Sequence, residues 1–190
     1  MRAVLVNSMR AMGGGERWVL EVACGLSERG HDISVVGRRG GRLAQEARGE
    51  GIPTLELPMS GDADVFSVVR LSAWIRRRAT DVVNVQIKRA VRLGSVAAAL
   101  GGRPAVVERR GLELPIEPSA LDRFLYSHLI DHVIVNAEAI GLSLLETGLV
   151  RRDRVSVIPN GIDPARVEGG DGAGFRARHG IDAEAPLVLF

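Results

Sequence analysis

The sequence predicts an α/β protein: a Rossmann-like, doubly wound parallel sheet of about seven strands with helices on both faces. Three observations carry this. Short Val-, Ile- and Leu-rich runs alternate with helix-periodic segments along nearly the whole chain. The runs are apolar on both sides, as strands covered on both faces must be. The first run, Val4, Leu5 and Val6, leads into Gly13, Gly14 and Gly15 and then a helical pattern, so backbone N–H groups and the positive end of a helix face one point. An anion, most often a phosphate, fits there. The same three glycines also make a plain flexible turn.

The first helix is expected from Glu16. Trp18, Val19, Val22, Ala23 and Leu26 fall on one face, Glu16, Arg17, Glu21 and Arg29 on the other, and Gly30 stops it. Residues 32–37 form a second strand, residues 41–50 a polar helix and residues 52–58 a third strand bounded by Gly51 and Pro58. After a loop at 60–64, residues 65–78 form a helix with Val65, Val68, Val69, Ser72 and Ile75 inward. It ends on Arg76, Arg77 and Arg78, which suit a helix C-terminus; attraction to an anionic membrane surface is the alternative. A strand at 82–87, a small-residue helix at 90–100 and a strand at 105–108 follow.

Arg109, Arg110 and Gly111 then open a loop running to Pro118. Ser119 and Asp122 resemble a capping box for a helix with Leu121, Phe124, Leu125 and Leu129 inward, and His128 beside that face reads as structural. A strand at 133–135, a helix at 138–147 capped by Gly148 and a strand at 155–158 complete the pattern.

The 190 residues carry a net charge of +2 and 4% aromatics, which argues against nucleic-acid binding by charge or base stacking. Lone Cys24 excludes an internal disulfide and reads as core filling. No apolar run approaches a membrane span and no signal peptide opens the chain, so a cytoplasmic protein is expected, with peripheral contact to the inner membrane face as the further option. The glycines lack the G-x-G-x-x-G spacing, and Tyr126 has no Lys in a Tyr-x-x-x-Lys pair, so dinucleotide-dependent chemistry is discounted.

In a doubly wound sheet, ligands bind beyond the carboxyl ends of the strands, near the reversal of strand order. The loops there hold Gly14, Gly15 and Glu16; Gln86, Lys88 and Arg89; Arg109 and Arg110; and Asn136 and Glu138. Two adjacent arginines can grip a phosphate or carboxylate in fork geometry. Asn136 and Glu138 can bond sugar hydroxyls, although Glu138 also suits a helix start. No metal-ligating or catalytic residue stands out.

The opening G-G-G-E-R-W-V-L-E-V-A-C-G-L-S-E-R-G-H-D-I-S-V-V, the segment D-H-V-I-V-N-A-E-A-I and the later V-S-V-I-P-N-G-I-D resemble the N-terminal domain of glycosyltransferase family 4, a GT-B fold. The resemblance implies residues 1–165 as a Rossmann-like acceptor-binding domain. Residues 166–190 would be a linker and the start of a nucleotide-sugar-binding domain, with A-P-L-V-L-F as its first strand. Pro159, Asn160, Gly161 and Asp163 read as the hinge.

The resemblance further implies a retaining, metal-independent transferase that needs no cofactor beyond its nucleotide-sugar co-substrate and acts on a saccharide or lipid acceptor of the cell envelope. The paired-glutamate motif of the family's second domain has no counterpart after the hinge, so the 190 residues are expected to be inactive alone. Gly14 and Gly15 would donate N–H groups to the leaving phosphate, and Glu16 would complement the helix dipole. Gln86 and Arg110 stand where many relatives carry histidine. The rival reading is a non-catalytic binding module for a phosphorylated or nucleotide ligand.

Overall fold

The computed structural model describes residues 1–112, 118–162, 164 and 168–188. It divides into two compact units, Met1–Pro159 and Asn160–Phe190. The division falls inside the turn read as a hinge; Asp163 lies outside the described residues.

The first unit is a seven-stranded, all-parallel sheet. Its strands are β1 (Arg2–Asn7), β2 (Asp32–Arg38), β3 (Thr54–Leu57), β4 (Val82–Gln86), β5 (Ala105–Arg110), β6 (His132–Val135) and β7 (Val155–Val157). Their spatial order is β3-β2-β1-β4-β5-β6-β7, so the chain reverses direction across the sheet between β1 and β4. That gap is the topological switch point.

Alternation along each strand sorts the core into two layers. Ala3 and Leu5 of β1, with Ile33 and Val35 of β2, pack against Val19 and Ala23 of α1 (Gly14–Glu28) and Leu43 and Ala47 of α2 (Arg42–Gly49). Val4 and Val6 of β1, with Val83, Val85, Val133 and Val135, form the opposite layer. Its helices are α3 (Val65–Arg77), α4 (Lys88–Leu100), α5 (Ala120–His128) and α6 (Glu138–Glu146). Helix α4 lies close on β4 because Gly94 has no side chain: a Cβ there would come within 2.6 Å of Val85 Cγ1.

Several details differ from the periodicity reading. Helix α1 begins at Gly14, not Glu16, and Glu16 is buried, not on the polar face. In α3, Val65 and Val69 are exposed, and Ser67, Leu71, Ser72 and Ile75 face the core. The Asp64 carboxylate caps α3 by accepting from Ser67 N, while Ser67 Oγ accepts from Met59 N, and these bonds fix that rotation.

The predicted Ser119/Asp122 box does cap α5, but Leu121 and Phe124 lie on its exposed side and Tyr126 turns inward with Leu125. Phe124 stacks on His128 at 4.8 Å at the surface. Helix α4 begins at Lys88 instead of Ala90, and β5 runs on through Arg110. Cys24 is half-buried beside the α1–α2 layer.

The second unit holds α7 (Gly172–His179), capped by Asp171, which accepts from Gly174 N at 2.7 Å, and closed by Gly180 in the left-handed region at φ 65°. The glycine-rich composition hid this helix from periodicity. Residues 181–188 form no strand, and the end of the A-P-L-V-L-F segment lies outside the described residues.

Candidate functional site: the crevice at the β1/β4 switch point

The carboxyl ends of β1 and β4 carry the start of α1 and the start of α4 on opposite faces of the sheet. The α1 turn is held from below. Asn7, the last residue of β1, donates from Nδ2 to Glu16 Oε1 at 2.8 Å, and the N–H of Gly13 donates to Glu16 Oε2 at 3.0 Å. Asn7 Oδ1 accepts from Met9 N at 2.8 Å, so both ends of its amide are committed. Glu16 is 4% exposed and acts as a strut. It leaves the N–H groups of Gly14 and Gly15, at the first two helical positions, without intrahelical partners and facing outward.

Gln86 lies buried under this turn at the end of β4, its Nε2 within 3.4 Å of Asn84 Oδ1. A Cβ on Gly15 would lie 3.8 Å from Gln86 Oε1. Arg109 joins the same layer: its Cζ sits 4.7 Å from the Trp18 ring centroid, a cation–π contact, and burial lowers its pKa. The Arg109 guanidinium lies over Gly111, in space that a Cβ there would occupy.

Arg110 is one residue on in β5 and therefore points to the other face. Its Nη1 lies 3.3 Å from both Glu108 Oε1 and the Tyr126 hydroxyl, which itself donates to Glu108 Oε2. Burial raises the pKa of Glu108, opposed by the charge of Arg110; the Tyr126 hydroxyl is raised by burial and by Glu108. The two arginines expected to form one fork are thus separated by the sheet.

A cleft of about 550 Å³ opens at the switch point, lined by Ser8, Met9, Arg10 and Ala11 after β1, Arg38 at the end of β2, Asp62 after β3, and Ile87, Lys88 and Arg89 after β4. The β1 loop is tied to the start of α2, because Arg42 N donates to Arg10 O at 3.1 Å. A Cβ on Gly41 would come within 2.8 Å of Arg38 O and 3.1 Å of Met9 O, so this close approach requires glycine. Arg38 is half-buried, and its pKa is lowered by burial and by the neighbouring charges of Arg10 and Arg89.

Ile87 adopts φ 67°, a left-handed conformation that a β-branched residue rarely takes. It caps α4 with no side-chain hydrogen bond, and the first turn of α4 holds Lys88 and Arg89 and no acid. Arg89 donates to Met59 O at 3.3 Å and lies 3.7 Å from Asp62 Oδ1. Lys88 Nζ is 3.9 Å from Asp122 Oδ2.

Asn136 and Glu138 follow β6. Asn136 Oδ1 is buried and has no hydrogen-bond partner among the described residues, a free acceptor at the carboxyl edge of the sheet. Glu138 is exposed at the first position of α6. The structure thus gathers Gly14, Gly15, Glu16, Gln86 and Arg109 beneath α1, Lys88 and Arg89 at α4, and Asn136 and Glu138 at α6, with Arg110 across the sheet. The sequence reading missed Arg10 and Arg38. Arg10 lies in the loop ahead of the three glycines, where no pattern marks it, and Arg38 ends an apolar strand whose only signal was its carboxyl-terminal place.

No cluster of three or more His, Cys, Asp or Glu side chains among the described residues suits a metal ion. No helix among them is long and apolar enough to cross a membrane.

Residues 12–166 match the family described as Glycosyltransferase Family 4. The chain belongs to that family. Solved structures agree on the fold. A glycosyltransferase from Rickettsia africae superposes with a TM-score of 0.78 at 21% identity, covering 97% of this chain and 51% of its own. HepE of Anabaena, in complex with UDP and glucose, gives 0.72 at 19% identity, covering 95% and 50%. The lipopolysaccharide outer core galactosyltransferase WaaB gives 0.62 at 13% identity, covering 85% and 46%. No curated protein sequence matches. The chain spans about half the length of these structures, and its first unit is the family's Rossmann-like, N-terminal GT-B half.

Proposed function

We propose that this chain is the acceptor-binding half of a transferase that moves a sugar from a nucleotide-sugar to a saccharide or lipid acceptor of the cell envelope. The observation that carries the reading is the match to glycosyltransferase family 4 over residues 12–166, which hold the glycine turn and the loops after β2 to β6 at the carboxyl edge of the sheet. The binding of UDP and glucose by HepE supports a nucleotide-sugar donor, and the naming of WaaB as an outer core enzyme supports an envelope acceptor.

In the proposed reaction an acceptor hydroxyl attacks the anomeric carbon as the bond from that carbon to the diphosphate oxygen breaks, the hydroxyl proton passes to the departing phosphate, and the configuration at the carbon is retained. Negative charge grows on the departing diphosphate. The outward N–H groups of Gly14 and Gly15, held by the Glu16 strut, are fixed donors of the kind that lowers such a barrier. Arg109 and Gln86 support the turn from below, and Asn136 offers its free acceptor to a sugar hydroxyl. Pro159, Asn160 and Gly161, with Asp163, provide the hinge to a second domain that carries most of the donor contacts. By this reading the protein is cytoplasmic, with peripheral contact to the inner membrane face as the further option, needs no metal or further cofactor, and is inactive as 190 residues.

The test is product analysis. The chain extended by a complete second GT-B domain is incubated with a panel of nucleotide sugars and envelope saccharide acceptors. NMR of the product then reads the anomeric configuration with and without a chelator. A retained configuration formed equally in the chelator supports the reading; an inverted product or full chelator inhibition overturns the corresponding part of it.

A further inference from the structure

We propose that the cleft formed by Arg10, Arg38, Lys88 and Arg89 seats a phosphate group carried by the acceptor. The inference rests on the reading above and names the chemical class of acceptor that this half of the enzyme selects.

Charge balance, an unpartnered guanidinium nitrogen and the start of α4 converge on this cleft. The cleft is bordered by four cations from three places, Arg10 in the loop after β1, Arg38 at the end of β2, and Lys88 and Arg89 at the start of α4, against a single carboxylate, Asp62. Asp62 is already engaged, because it pairs with Arg92 and Arg89 and does not neutralise Arg10 or Arg38. Arg38 carries a buried Nε with no hydrogen-bond partner among the described residues, so a guanidinium donor has been withdrawn from water without a protein acceptor. Such an arrangement costs free energy unless an anion completes it.

The start of α4 repeats the imbalance. Cations in the first turn oppose the helix dipole, yet Lys88 and Arg89 stand there, and the strained Ile87 turns the chain sharply so that this helix end borders the cleft. An occupying phosphate reverses the sign of each unfavourable contact, with helix N–H groups and the arginine forks as donors. A volume of about 550 Å³ takes more than an inorganic ion and suits a sugar phosphate. Arg109, stacked on Trp18, and Arg110, paired with Glu108, are not part of this seat.

The experiment titrates the 190-residue chain, followed by backbone amide NMR, with inorganic phosphate, glucose 1-phosphate, glucose and UDP. The expected result is that phosphate and glucose 1-phosphate shift the amides of Met9, Arg10, Ala11, Arg38, Lys88 and Arg89, that glucose 1-phosphate binds more tightly, and that glucose alone shifts none of them. Arg38→Ala weakens glucose 1-phosphate binding about tenfold or more, the loss of a charge-assisted contact. Arg29→Ala, at the far end of α1, changes nothing. Exposed Arg10→Ala supplies the same test should Arg38→Ala fail to fold.

Absence of shifts at these amides, or equal affinity in the Arg10→Ala protein, overturns the proposal. Tighter binding of UDP than of glucose 1-phosphate at the same amides also overturns it, by giving the seat to the donor. A transferase that works equally well with Arg10→Ala on an uncharged acceptor would remove this inference and leave the proposed function standing.

Discussion

Glu16 offers the sharpest test of how the glycine turn is held. Both of its carboxylate oxygens accept from N–H donors, Asn7 Nδ2 at 2.8 Å and Gly13 N at 3.0 Å. Glutamine has the same shape but only one acceptor oxygen, so Glu16→Gln must set an amide N–H₂ against one of these donors. Asn7 cannot rotate to compensate, because its Oδ1 already accepts from Met9 N. One charge-assisted hydrogen bond is lost, a cost of about 1.5–3 kcal/mol. At ~2–4 °C per kcal/mol for a chain of this size, the melting temperature should fall by roughly 3–12 °C. Calorimetry reads the loss, and hydrogen exchange at Gly13 should speed up. Asn7→Ala with Glu16→Gln should cost less than the sum of the two single variants. An unchanged melting temperature for Glu16→Gln would refute the strut.

Three further predictions follow from packing and charge. Gly94→Ala brings a methyl group within 2.6 Å of Val85 Cγ1; overpacking of about 1–3 kcal/mol outweighs a helix-propensity gain of up to ~1 kcal/mol, so the melting temperature falls, and adding Val85→Ala recovers part of it. Backbone N–H donors of Ser67 and Ser60 hold Asp64 down to about 2, so its contribution is complete above the ordinary carboxylate range near pH ~4 and is lost as pH falls toward 2. Asp64→Ala should cost about 1 kcal/mol at neutral pH and flatten that acid limb in denaturant titrations. Arg110→Ala strips the buried Glu108 of its counter-charge at a cost of about 3–5 kcal/mol. Because burial already raises the Glu108 pKa, this loss should grow as pH rises through the range where Glu108 ionises, and Glu108→Gln should relieve it.

What was readable in the sequence was what depends on pattern: about seven apolar runs forming a parallel sheet, the alternation with helices, the Ser119/Asp122 cap and the glycine turn. Position along the chain placed Gly14, Gly15, Gln86 and Lys88 at strand ends, where a doubly wound sheet puts its ligands. Helix faces were less legible. Val65 and Val69 match an apolar stripe as well as Leu71 does, and only the Asp64 cap and the Ser67 bond to Met59 decide the rotation. Charged residues misled for a related reason. Arg109 and Arg110 read as one fork because they are adjacent, but a strand turns adjacent side chains to opposite faces, and a two-residue error in the end of β5 hid this. Arg10 and Arg38 lie 28 residues apart and meet only because Gly41 lets two loops touch.

The most direct test of the central claim is sugar transfer from a panel of nucleotide sugars, measured in parallel for the 190-residue chain and for the chain extended by a complete second GT-B domain. Turnover by the extended protein and none by the 190 residues is the predicted result. Turnover by the 190 residues alone, or by neither form with any donor, would contradict the account.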